Sequence, residues 1–150
     1  MKRHRLFSIF SVLLGFGALF SSAQDTSLHM AILDGDRTGV ATLLENGADI
    51  NSKMRGGWTP LMVSVKYGHF DIMKDLLQSN AQINMRDNKG NTALILAVTS
   101  KRIEAVRILL ANQADVALKN NSDMSAMDIA LLTGANEIST LLNDYLNQKG

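Results

Sequence analysis

The chain has 150 residues, 46% of them hydrophobic and 19% charged, which suits one packed domain and carries too much apolar content for a disordered tail. It contains no cysteine, so disulfides, thiolate metal sites, a cysteine nucleophile and a lipid-modified cysteine are all excluded. Its formal net charge is +1, too small a field to argue for nucleic acid or anionic lipid as partner.

The first element in chain order reads as a leader. "MKRHR" is a basic start, Leu6 to Phe20 is an apolar run of 15 residues, and "SSA" ends in small residues, so a signal peptide is expected over residues 1–23 with cleavage after Ala23. The run is interrupted by Gly15 and Gly17 and falls short of the roughly 20 residues of a membrane span. Removing Lys2, Arg3 and Arg5 from the 15 basic residues leaves 12 against 14 acidic, a net charge of −2. The expectation is a mature protein without a membrane span, monomeric, in the periplasm, with an extracellular location as the alternative.

From residue 24 onward the chain aligns with itself at a shift of 33. Thr26, Thr59, Thr92 and Ser125 fall in register, as do Leu28, Leu61, Leu94 and Met127, and then Ala31, Ser64, Ala97 and Ala130. Later in each unit come Leu43, Leu76, Leu109 and Leu142, then Ala48, Ala81 and Ala114. Four units result, at approximately 24–53, 54–86, 87–119 and 120–150. Each Thr or Ser precedes an apolar stretch and can cap a helix, and Pro60 fits the first helical position. "PLMVSVKY" is then a short helix ended by Gly68, and "FDIMKDLLQS" a second with Ile72, Met73, Leu76 and Leu77 on one face.

Helical pairs this short cannot bury their faces alone, so they must stack. The expected fold is an all-α repeat solenoid of about four helix-turn-helix pairs joined by β-hairpin-like loops. Both ends read as capped: the first pair has almost no room for a preceding hairpin after Ala23, and Asn143 replaces Leu44, Leu77 and Leu110 in the last. Lys101 stands in the slot of Gly35, Gly68 and Gly134, and Asn80 and Gln113 in the slot of Gly47, which makes the third unit the expected irregular one.

"TSLHMA", "WTPLMVS", "NTALILA" and "MSAMDIA", with the endings "NGADIN", "SNAQIN" and "NQADVA", resemble the ankyrin repeat family over about Asp25 to Leu146. The resemblance implies a non-catalytic module that binds another protein through hairpin tips and the concave face of the first helices. It also implies a structural hydrogen bond for His29. Small exported proteins of this kind resemble accessory proteins of catalase, haem or oxidative-stress systems, and immunity proteins that neutralise a secreted toxin.

A search for chemistry supports no enzyme. No metalloprotease, nucleophile-elbow, dinucleotide or P-loop motif is present. His29 and His69 are separated by one unit and seven positions, too far for a shared metal, and no metal or cofactor is expected. Tyr67 and His69 are the only residues a haem-linked role would use. Met62, Met73 and Met127 fall on core positions, and Met54, Met85 and Met124 on hairpins.

The register nominates a partner surface. Lys53, Arg86 and Lys119 recur at 33 and, with Arg55 and Lys89, form a basic row suited to an acidic partner surface. Asn91 and Met124 join them on the hairpins, Lys66, Tyr67, Thr99 and Ser100 on the first helices. Trp58 is either an aromatic anchor or a packing residue.

Overall fold

The computed structural model describes residues 17–149 as eight helices. They are α1 (Gly17–Asp34), α2 (Arg37–Glu45), α3 (Pro60–Tyr67), α4 (Phe70–Gln78), α5 (Ala93–Thr99), α6 (Ile103–Ala111), α7 (Ala126–Leu132) and α8 (Asn136–Lys149). Each odd-numbered helix packs against the even-numbered helix that follows it. First helices also contact first helices along the stack, α1 to α3 to α5 to α7, and second helices do the same behind them. The result is a two-layer solenoid. Loops link the pairs, and among the described residues the only β-bridge outside helices joins Lys119 to Ser125.

Local chemistry sets these boundaries. Thr59 and Thr92 take extended φ,ψ and their hydroxyl oxygens accept the N–H of Met62 and Ile95, each at 3.3 Å, starting α3 and α5. Ser125 starts α7 with a capping box: its hydroxyl accepts from Asp128 N–H at 3.2 Å while the Asp128 carboxylate accepts from Ser125 N–H at 2.8 Å. Thr26 departs from the expectation: it lies inside α1, because the helix already runs unbroken from Gly17. Residues 1–16 of the expected leader lie outside the described residues, and position 23 falls within α1.

The slot that ends each first helix has positive φ in all four units: Gly35 at 71°, Gly68 at 77°, Lys101 at 53° and Gly134 at 63°. A β-carbon on Gly35 would lie 2.9 Å from Cε1 of His69, and one on Gly68 3.1 Å from Nη1 of Arg102. The following unit's side chain covers the glycine in both cases. In register with His69 and Arg102 the fourth unit has Ala135, too short to cover Lys101, so the third unit admits a side chain where the first two do not. The third unit keeps both of its helices. Its departures are confined to Lys101 and Gln113, both at positive φ.

The core follows the repeat rows. Leu28, Leu61 and Leu94, Ile32, Val65 and Val98, and Leu76, Leu109 and Leu142 are all buried, each contributing on the order of 2 kcal/mol. The ends are less capped than expected. On α8, Ser139 and Asn143 turn the outer face polar, but α7 keeps Leu131 at 65% exposure and Leu132 at 75%. Leu131 occupies the row of Ile32, Val65 and Val98, and none of the described residues buries it. Among the described residues no helix is long and apolar enough to cross a membrane.

A surface ion pair ties the first two second helices. Arg37 donates from Nε to Asp75 Oδ2 at 2.6 Å and from Nη2 to Oδ1 at 2.9 Å. That hydrogen bonding holds the Asp75 carboxyl below its usual range, and the same contact raises Arg37. Hydrogen bonds from Ser125 likewise lower Asp128. A depressed carboxyl binds fewer protons folded than unfolded, so its stabilisation is complete above the ordinary carboxyl pKa and is lost as pH falls through the folded value. Urea midpoints measured below about pH 4 should therefore drop less steeply in Asp75→Asn plus Asp128→Asn than in the wild type.

Candidate functional site: the hairpin row and the first-helix face

The basic row divides into tied and free members. Lys53 Nζ donates to the carbonyl of Arg86 at 2.9 Å, and Arg86 Nη2 to the carbonyl of Lys119 at 2.6 Å. Arg86 Nε also reaches Gly90 O at 3.1 Å, and Lys119 Nζ donates to Asp123 Oδ2 at 3.2 Å. The three side chains in the 33-residue register thus bind hairpin to hairpin, or close the last hairpin on itself. Arg55 and Lys89 stay exposed, with no side-chain hydrogen bond among the described residues.

The remaining hairpin residues also serve the stack. Asp87 Oδ1 accepts from the N–H groups of Lys89 and Asn91, both at 2.8 Å, shaping the second hairpin. Asn91 donates to Asp87 Oδ2 at 3.2 Å and accepts from Asn120 Nδ2 at 3.1 Å. Met124 and Met85 are half-buried and packed against the larger core cluster. Trp58 is half-buried and packs against both core clusters, and its carbonyl accepts from Met54 N–H at 2.9 Å.

On the first-helix face, Lys66 and Tyr67 are exposed, Tyr67 at 53%. Tyr67 stacks on His69 with ring centroids 6.4 Å apart. His69 is half-buried against the first unit, its Nε2 3.4 Å from the carbonyl of Leu33, so the ring is a bridge between units rather than a solvated loop side chain. Arg102 repeats the gesture one unit on, donating to the carbonyl of Lys66 at 3.3 Å. Cations that reach the last carbonyls of the preceding first helix also suit its dipole. Thr99 is exposed but returns its hydroxyl to Ile95 O at 2.8 Å, and Ser100 is half-buried.

His29 is buried, with Nδ1 2.8 Å from Asp25 O and Nε2 3.3 Å from Trp58 O. It bonds the first helix to the entry of the second unit, as the resemblance implied. His29 and His69 face different carbonyls. Among the described residues no three His, Asp or Glu side chains gather as a metal site. What sequence reasoning missed is the acceptor side of the basic row, since a backbone carbonyl has no letter of its own.

The surface left after these structural duties comprises Arg55, Lys89, Lys66 and Tyr67, with Leu132 in register with Lys66 at the end of the stack. It is an open surface of exposed cations and one aromatic ring, a geometry suited to contact. The family profile described as "Ankyrin repeats (3 copies)" matches residues 28–120 and 82–149. The chain is 42% identical over 50 residues to an E3 ubiquitin-protein ligase XBAT33 of Arabidopsis thaliana, covering 33% of this chain and 10% of that protein. It is 45% identical over 47 residues to the potassium channel AKT1 of Oryza sativa subsp. indica, covering 31% and 5%. It is 37% identical over 54 residues to the human (Homo sapiens) Notch-regulated ankyrin repeat-containing protein, covering 36% and 47%. In each case the match spans less than half of the relative's length. With the 33-residue register, the stacked helical pairs and a profile that runs from residue 28 to residue 149, the chain belongs to the ankyrin repeat family.

Proposed function

We propose that this chain is an exported, non-catalytic protein-binding module that holds a partner in the periplasm on its hairpin tips and first-helix face. Ankyrin repeats are protein–protein interaction units, and the observation that carries the reading is the set Arg55, Lys66, Tyr67 and Lys89. All four are exposed and none of their side chains makes a hydrogen bond among the described residues, Tyr67 only stacking on His69. Tyr67 supplies aromatic contact area of the kind that dominates interface energetics, and the three cations would steer an acidic partner surface toward it. Export is supported by the basic start, the apolar run and the small residues ending at Ala23.

The test is affinity capture from periplasmic extract with wild type and with the variant Arg55→Glu, Tyr67→Ala, Lys89→Glu. The substitutions touch no core position, so circular dichroism should be unchanged. A discrete partner retained by the wild type should be lost from the variant, and equal retention would refute the surface. N-terminal sequencing of the exported protein should begin at Gln24.

A further inference from the structure

Three bonds from the preceding hairpin recur at each later hairpin, and the third hairpin adds two more, from Asn120 Nδ2 to Asn91 Oδ1 and from Asn121 Nδ2 to Asn88 O. A side-chain amide oxygen accepts a backbone N–H: Asn51 Oδ1 from Gln82 at 2.8 Å, Asn84 Oδ1 from Asp115 at 3.0 Å. A carbonyl accepts a backbone N–H: Gly56 O from Asn88 at 3.0 Å, Lys89 O from Asn121 at 2.9 Å. A cation donates to a carbonyl, Lys53 to Arg86 O and Arg86 to Lys119 O.

The first hairpin has no hairpin before it, since α1 occupies that stretch of chain. Its receiving groups in the 33-residue register are Asp49 N–H, Arg55 N–H and Lys53 O. Only the first is served, by Asp25 Oδ1 at 2.8 Å. Arg55 N–H and Lys53 O have no hydrogen-bond partner among the described residues. An edge that presents an unpaired N–H and C=O is a template for added chain.

Beside that edge lies a cleft of about 610 Å³ between α1 and the first hairpin. Met30, 52% exposed, and Met54 give it an apolar lining, and Asp25 and Asp49 give it carboxylates. Ser52 lines the same cleft. It is only 8% exposed, yet its Oγ has no hydrogen-bond partner, which is costly for a buried hydroxyl. The later hairpins hold apolar Met85 and Leu118 in this slot.

We propose that this end of the stack is a docking edge for an extended segment of a partner protein, one that carries a Lys or Arg three residues before a backbone carbonyl and an apolar side chain beside them. The segment's carbonyl accepts Arg55 N–H, its cation donates to Lys53 O in the field of Asp25 and Asp49, and its apolar side chain covers Met30 and Met54. This is strand-like addition to a free edge, with main-chain bonds for affinity and the cation and cleft for specificity. The spacing is the chain's own: Lys53 precedes Gly56, and Arg86 precedes Lys89, by three. Lys53 and Arg55 line the cleft as well, but the Lys53 ammonium is drawn away to Arg86 O, which leaves the two carboxylates facing Arg55 alone. A second copy docked head to tail fits less well. Its last hairpin has Ala117 where Asn51 and Asn84 offer an amide, and Lys119 is engaged with Asp123.

The probe is a synthetic peptide of residues 82–91 of this chain, which carries all three groups, the Asn84 amide oxygen and Lys89 carbonyl as acceptors and the Arg86 guanidinium as donor, titrated into the ¹⁵N-labelled full chain. Saturable shifts are expected at Asp25 to Met30 and Asp49 to Arg55. The peptide with Arg86→Ala should bind about tenfold more weakly, the loss of one charge-assisted hydrogen bond, and Met30→Lys in the protein should weaken binding comparably. The inference is overturned by no shifts at millimolar peptide, by equal binding of the Arg86→Ala peptide, by shifts centred on Lys66 and Tyr67, or by the same shifts arising from protein concentration alone.

Discussion

Trp58→Ala is expected to cost about 3 kcal/mol of folding stability, before any effect on a partner is considered. The indole packs against both core clusters, one built on Leu28, Ile32 and Leu76 and the other on Leu61, Leu94 and Leu109. Truncation removes the side chain that the two share, so both lose contacts at once. Equilibrium urea unfolding followed by circular dichroism measures this, because the variant lacks the chain's only tryptophan as a fluorescence probe. Trp58→Phe should recover a large part of the loss. An Ala variant as stable as the wild type would mean that the indole is a surface anchor after all, and a drop in capture by that variant would then report contact directly.

Gly90→Ala should be the other large effect, again about 3 kcal/mol, and a paired variant separates its two causes. Gly90 has φ 76°, and a β-carbon there would lie 2.8 Å from the backbone nitrogen of Asn121 and 2.7 Å from Nη2 of Arg86. Those are the groups that join the second hairpin to the third, through Asn121 N–H to Lys89 O and Arg86 to Lys119 O. Backbone strain accounts for about 1 kcal/mol, and displacing the joined groups accounts for the rest. Gly134→Ala isolates the strain, since its φ is 63° and nothing lies within 4 Å of the added carbon. It should cost only about 1 kcal/mol. Equal losses in the two variants would show that the close packing between hairpins carries no energy.

The fold was legible because its determinants are letters at fixed spacing. Thr59, Thr92 and Ser125 cap because a hydroxyl three residues before a free N–H does so wherever an extended residue leads into a helix. Thr26 bears the same letter in the same slot and does not, since the chain before it is already helical. Leu131 is spelled like its buried equivalents and is bare, because burial depends on what stacks against a residue and not on its letter.

The candidate surface was less legible than the fold. Basic residues at 33-residue spacing read equally as a partner-facing row or a solvated edge. The structure gives Lys53 and Arg86 a third occupation, holding carbonyls whose positions depend on how far one hairpin is displaced from the next. Lys66 and Tyr67 stood out because the repeat assigns them no task, and in the structure both are exposed, with Tyr67 stacked on His69.

The cation-to-carbonyl chain also bears on how such a protein can change length. Donor and acceptor both recur at 33, so excising residues 54–86 would bring Lys53 to the carbonyl of Lys119, the partner Arg86 now holds. The junction would be chemically equivalent to the one removed, and three units are about the minimum for a stable stack. A cut of any other size would set a cation against the wrong rung, so in this architecture one whole repeat is the smallest increment by which the molecule can shrink or grow without a defect.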